Sequence, residues 1–173
     1  MSETLYWQRP KAMRREYHLH RGEAVVASLA FPSVWRYHAT GSHGDKSYRF
    51  SFEGVFRQRV RVLTSELGEQ KAYARMRWAL KGRAEIELPD GRTYRLTSKG
   101  ILRRVWSLTE GLDGKGRELL AQTEVRGVLH ESGVMEMKDL RPGDPDPLFL
   151  ALIAWYLVVV VHQQEGAAAA GAT

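Results

Sequence analysis

From Leu5 to about Lys138, apolar and polar residues alternate along the chain. A period of two puts successive side chains on opposite faces of an extended backbone, so it predicts strands. Glu16-Tyr17-His18-Leu19-His20 and Ala24 to Phe31 flank Arg21-Gly22-Glu23, the pattern of a hairpin closed at a glycine. In Ser47 to Glu53, Tyr48, Phe50 and Phe52 share one face and Ser47, Arg49, Ser51 and Glu53 the other, as a strand with one buried side requires. Segments 55 to 63 and 72 to 80 repeat this. Phe56, Gln58, Val60 and Val62 lie opposite Arg57, Arg59 and Arg61, and Ala74, Met76, Trp78 and Leu80 lie opposite Tyr73, Arg75 and Arg77. Ala84 to Leu88 and Arg92 to Thr97 are joined by Pro89-Asp90-Gly91, where proline presets the first torsion of a turn and glycine accepts the positive torsion that closes it. Further strands are predicted at 101 to 109, 118 to 125, 126 to 132 and 133 to 138. About twelve short strands joined by tight turns predict an antiparallel sheet closed on itself, a mainly β barrel.

The pattern then breaks. After the stiff loop Asp139-Leu140-Arg141-Pro142-Gly143-Asp144-Pro145-Asp146-Pro147, the fourteen residues Leu148 to Val161 are all apolar apart from the amphipathic Trp155 and Tyr156. Asp146 is placed as an N-cap and Pro147 as the first helical residue. A helix of that length is about 21 Å long, against the ~30 Å of a bilayer's hydrocarbon core, so no transmembrane span is expected. A helix packed on the outside of a sheet would carry a polar stripe, and this segment has none. A helix that is apolar all round is surrounded all round. Residues 147–162 are therefore predicted to thread the lumen as a buried C-terminal helix, with Leu148, Leu152, Trp155, Tyr156 and Val159 as its core positions. Residues 4–163 form one domain on this reading, and the Ala/Gly-rich residues 164–173 form a disordered tail.

At 173 residues the chain is long enough for a single domain to bury roughly 70% of the surface its unfolded form exposes. With no cysteine, it has neither a disulfide, nor a thiolate zinc site, nor a cysteine nucleophile. The N-terminus lacks the form of a signal peptide, and the expected setting is cytoplasmic, peripheral at a membrane. The net charge of +6 is uneven: residues 9 to 61 hold 11 Lys/Arg against 4 Asp/Glu, and residues 110 to 146 hold 5 against 9. Summed positive charge raises the local concentration of anionic partners.

A barrel of about twelve strands closed around a C-terminal hydrophobic helix resembles the tubby-like superfamily: tubby C-terminal domains, LURP-one-related proteins and phospholipid scramblases. The resemblance covers about residues 4 to 163. It rests on EYHLHRGEAVVASLAF near the start, on PDGRTYRL in the middle of the strand series, and on the closing order of strand, acidic loop (DLRPGDPDP) and apolar helix. It implies a barrel that acts at membranes by binding anionic lipid, and not a conventional enzyme. The scramblases' calcium-binding acidic segment would correspond to Asp139, Asp144 and Asp146, which lack the alternating oxygens and glycine of an EF-hand-like loop. The basic residues with which tubby proteins hold phosphoinositides find no position-by-position match.

Among candidate sites, the outward arginines carry most interest. If segments 55 to 63 and 72 to 80 form a hairpin, Arg57, Arg59 and Arg61 lie beside Arg75 and Arg77, and like charges across a ladder are unfavourable without a counter-ion. A phosphate would supply one, making these five a candidate anion site. The internal alternative is a salt-bridge ladder, with Glu85 and Glu87 opposing Arg77 and Arg75. His18 and His20 share a strand face, yet no third ligand falls at a suitable spacing, so no metal is assigned. Gly41-Ser42-His43-Gly44-Asp45-Lys46-Ser47 reads as a hairpin turn, because no helix follows it to make a phosphate loop. No placed catalytic triad appears, and no cofactor is assigned. The expectation is a non-enzymatic module for an anionic phospholipid surface or another anionic partner, with no specific nucleic acid. A lipocalin-like carrier with the helix outside and the lumen open is one alternative, and a tail-anchored membrane protein another.

Overall fold

The computed structural model describes residues 3–11, 14–33, 37–53, 59–77, 83–99, 104–126, 131–138 and 140–170. Twelve strands and one helix follow in order: β1 Glu3–Gln8, β2 Glu16–Arg21, β3 Ala24–Ala30, β4 Ala39–His43, β5 Lys46–Glu53, β6 Arg59–Thr64, β7 Gln70–Arg77, β8 Arg83–Glu87, β9 Thr93–Lys99, β10 Val105–Glu110, β11 Glu118–Arg126, β12 Glu131–Met137 and α1 Pro147–Ala170. Each strand pairs antiparallel with its neighbours in sequence, and β12 returns to β1 with Glu3 opposite Met137 and Trp7 opposite Gly133. The sheet is thus a closed up-and-down barrel without an unpaired edge.

Closure follows from alternation. Val60 and Val62, Ala72 and Ala74, Tyr94 and Leu96, and Trp106 and Leu108 all turn inward and are buried, while their chain neighbours face out. An eight-stranded barrel is just wide enough for side chains to fill. Twelve strands leave an axial gap wider than that, and α1 occupies it. Leu152 and Tyr156 have no solvent exposure, and Trp155 and Val159 almost none; Leu148, at the end where the helix enters, is partly covered.

The helix sits off the axis. Its backbone lies nearest β3 and β4, where the inward residues Ala27, Ala39 and Gly41 are small. A Cβ on Gly41 would come within 2.9 Å of Phe50 and 3.3 Å of Leu152. Across the barrel, Tyr94, Leu96, Trp106 and Leu108 on β9 and β10 fill the wider space with larger side chains. Aromatic rings lock the depth of α1. Trp155 stacks on Trp7 at 5.3 Å beside Gly133, where a Cβ would come within 2.9 Å of the indole. Tyr156 stacks on Phe50 at 4.7 Å and donates a hydrogen bond to the Tyr37 carbonyl at 2.5 Å. Burial pushes the Tyr156 phenol far above its ordinary pKa.

Asp146 caps the helix as expected, its side chain accepting the Leu148 N–H at 3.0 Å. The β8–β9 turn also forms as read, with Leu88 N–H bonded to the Arg92 carbonyl at 2.9 Å and Gly91 at φ 83°. One expectation needs correction. The helix does not stop near residue 162 in a disordered tail; it runs to Ala170, because alanine is the strongest helix former and the sequence supplies four after Gly166. Of the strands expected at 118–125, 126–132 and 133–138, the described residues show β11 extending to Arg126 and β12 beginning at Glu131. The strand expected at 101–109 begins at Val105, those expected at 55–63 and 72–80 are seen as Arg59–Thr64 and Gln70–Arg77, and residues 54–58, 78–82, 100–103 and 127–130 lie outside the described residues.

Candidate anion site and the two ends of the barrel

In an up-and-down barrel, alternate connections fall at opposite ends. The β2–β3, β4–β5, β6–β7, β8–β9, β10–β11 and β12–α1 connections lie at the end where α1 enters, called here the mouth. The remaining connections lie at the base, toward which α1 runs.

The outward arginines come together between β6 and β7. Arg59 is directly opposite Arg75, and Arg61 is opposite Tyr73. The next register differs from the expected one. Glu85 opposes Arg75 and Glu87 opposes Tyr73, while Arg77 faces Arg83. The whole pairing is displaced by two residues, a shift that keeps every side chain on its face and is therefore invisible to an alternation argument. A row of charges results around the outside, Glu53–Arg59–Arg75–Glu85–Arg95, read across five strands.

Within that row the pairs are unequal. Arg61 forms an ion pair with Glu53, and Arg83 reaches Glu85 at 3.3 Å. Among the described residues neither Arg59 nor Arg75 has an ion-pair partner within 4.0 Å. Arg57 lies outside the described residues. Mouthward of Arg59 and Arg75 a shallow concavity of about 650 Å³ contains Glu53, Arg61, Tyr73 and Glu87, so its charge is mixed. The basic surface consequently lies baseward, where Arg83 and Lys99 follow at the ends of β8 and β9. Arg9, Lys11, Arg14 and Arg15 lie at the same end of the barrel but on its opposite side, in the β1–β2 connection.

The mouth is built the opposite way, as a set of satisfied pairs around the loop before α1. Arg117 of the β10–β11 turn grips Asp144 with two hydrogen bonds, at 2.7 and 2.9 Å, and that guanidinium holds the Asp144 carboxyl below the usual carboxylate range. Arg92 of the β8–β9 turn donates to the Gly143 carbonyl at 2.6 Å. From the β4–β5 turn, Lys46 lies 3.3 Å from Asp146 and His43 lies 3.6 Å from it. His43 is buried and also contacts the Tyr48 hydroxyl at 3.1 Å. Burial lowers the pKa of His43, against the pull of Asp146, and raises that of Tyr48 to about 12. Two of the three aspartates considered for calcium are thus engaged in holding the helix entrance, and Asp139 lies outside the described residues.

His18 and His20 do share the outer face, with ring centroids 6.3 Å apart and His18 bonded to Glu16 at 2.9 Å. Among the described residues no group of three metal-ligating side chains converges there or elsewhere. Gly41 to Ser47 forms the β4–β5 hairpin, with Gly44 at φ 55°. Sequence reasoning overlooked the mouth cluster of His43, Lys46 and Tyr48. Their spacing around a turn is legible, but their partner Asp146 is a hundred residues away from Lys46. Comparison with protein-family models, curated proteins and solved structures found no match to this chain.

Proposed function

We propose that this protein is a non-enzymatic, tubby-like binding barrel that docks on an anionic phospholipid surface through the basic outer face of β6 to β9 at its base. One observation carries the reading: Arg59 faces Arg75 across the ladder, and among the described residues neither forms an ion pair within 4.0 Å, since Glu53 and Glu85 on their far sides reach Arg61 and Arg83 instead. Two guanidinium groups held side by side are unfavourable unless an anion bridges them, and a phosphate accepts bidentate hydrogen bonds from both. The filled lumen supports a surface site. An apolar cargo would have to displace α1, whose residues Leu150 to Val158 are almost without solvent contact. By length and composition Pro147–Gln164 could cross a membrane, but most of it is buried against the strands, which favours attachment by charge over a tail anchor.

The test is flotation with vesicles of neutral phosphatidylcholine and with vesicles containing phosphatidylserine, at low and high salt. Binding to the acidic vesicles alone, lost as salt shortens the Debye length, is expected. Reversing both charges, Arg59→Glu with Arg75→Glu, should abolish it. Equal, absent binding to both vesicle types at low salt would overturn the proposal.

A further inference from the structure

A cavity of about 450 Å³ opens at the mouth, on the other end of the molecule from the arginine surface and independent of it. That volume falls within the range of small-molecule sites, roughly 300–1,000 Å³. It is framed by the β4–β5 turn, the β6–β7 turn and the first turn of α1. Its floor is aromatic, Tyr48 against Phe149 with centroids 4.8 Å apart. Its rim carries Leu67, which is 78% exposed on a turn whose Gly68 adopts φ 67°. A leucine that exposed has no cover of its own and stands beside apolar surface that a ligand would share.

The charges lining the cavity select the sign of that ligand. Its two lysines are already engaged, Lys46 with Asp146 at 3.3 Å and Lys71 with Glu69 at 2.9 Å. Its other two carboxylates, Asp45 and Glu66, have no ion-pair or hydrogen-bond partner among the described residues. The Tyr48 hydroxyl is held by His43 at 3.1 Å, so the floor is kept in place before anything binds. We infer that the mouth cavity binds a small organic cation, an ammonium joined to an aromatic or branched apolar body. The body lies on Tyr48, Phe149 and Leu67, and the ammonium lies between Asp45 and Glu66. An ammonium near aromatic faces gains further attraction from the rings.

Benzylamine is the probe, with benzyl alcohol and benzoate as the neutral and anionic counterparts, followed by amide chemical shifts of the full chain. Benzylamine should shift residues 45–48 and 64–67 saturably, and the two counterparts should not. Asp45→Asn with Glu66→Gln should weaken benzylamine roughly five-fold, as expected for two exposed ion pairs. Leu67→Ser should weaken benzylamine and leave the preference for the cation intact. All three positions are at the surface, and an unchanged spectrum elsewhere will show that the variants fold. No saturable shift, equal shifts from benzoate, or full affinity in the double carboxamide variant would each overturn the inference. Vesicle binding plays no part in the readout, so failure here leaves the arginine proposal standing.

Discussion

The two ends of this barrel use charge in opposite ways. At the mouth each basic turn has an acid to meet: Arg117 with Asp144, Arg92 with Asp90, Lys46 with Asp146. The first and last of these pairs, with the Arg92 hydrogen bond to the Gly143 carbonyl, stitch three hairpin turns to the loop that starts α1. At the base, the strands bring Arg59 against Arg75 and Arg77 against Arg83. One end therefore uses its charge to hold the helix, and the other leaves Arg59 and Arg75 without an ion pair among the described residues. The comparison teaches that local charge density alone does not mark a site. What separates the ends is which cations the acids reach: at the base Glu53 pairs with Arg61 and Arg83 reaches Glu85, while Arg59 and Arg75 form no ion pair among the described residues.

The largest effect should come from the element both ends share. Trp155→Ala removes a buried indole stacked on Trp7 and should lower stability by about 3–5 kcal/mol, read as a fall in the denaturant midpoint. Cutting the mouth alone should cost less. Asp144→Ala takes away two hydrogen bonds from a guanidinium and one from the Arg141 N–H, an expected loss of about 1–3 kcal/mol with vesicle binding unchanged. If Asp144→Ala instead abolished vesicle binding while the barrel stayed folded, the separation of the two ends would fail.

His43 gives the mouth a pH dependence that the base should lack. Burial holds its folded pKa below the ordinary 6.5, so the unfolded chain binds its proton first as pH falls. The contribution is fully present above about pH 6.5 and declines as pH drops below that value toward the lowered folded pKa. Between neutral pH and pH 5 the parent protein should therefore lose more stability than His43→Gln, measured by urea unfolding at each pH. The smallest effect belongs to the base. Arg59→Glu replaces a like pair by an opposite one across from Arg75 and sets a like pair against Glu53 on the other side, so stability should change by less than about 1 kcal/mol while binding to acidic vesicles falls. A loss well above about 1 kcal/mol in Arg59→Glu would mean that Arg59 is structural, and the two ends would then be alike.

How much of this was legible beforehand differs from residue to residue. Tyr48, Phe50, Val60 and Val62 declared their inward face by alternation alone, and Asp146-Pro147 declared the start of the helix. That α1 must be enclosed followed from its lack of a polar stripe. The cluster at the mouth was not readable, because His43, Lys46 and Asp146 meet only once β4, β5 and the last loop are brought to one end.

The sequence by itself determined the faces, the turns, the closed β architecture and the central helix, since these depend on interactions between near neighbours and on the sign of each side chain's transfer from water. Only the tertiary structure decided the register of β7 on β8, which cations at each end meet an acid, and the off-axis seat of α1. The physical reason is that alternation specifies a strand's pairing only to within two residues. Which of the allowed registers is adopted depends on closing twelve strands around one helix, where Gly41 and Gly133 admit Leu152 and Trp155 at a single depth.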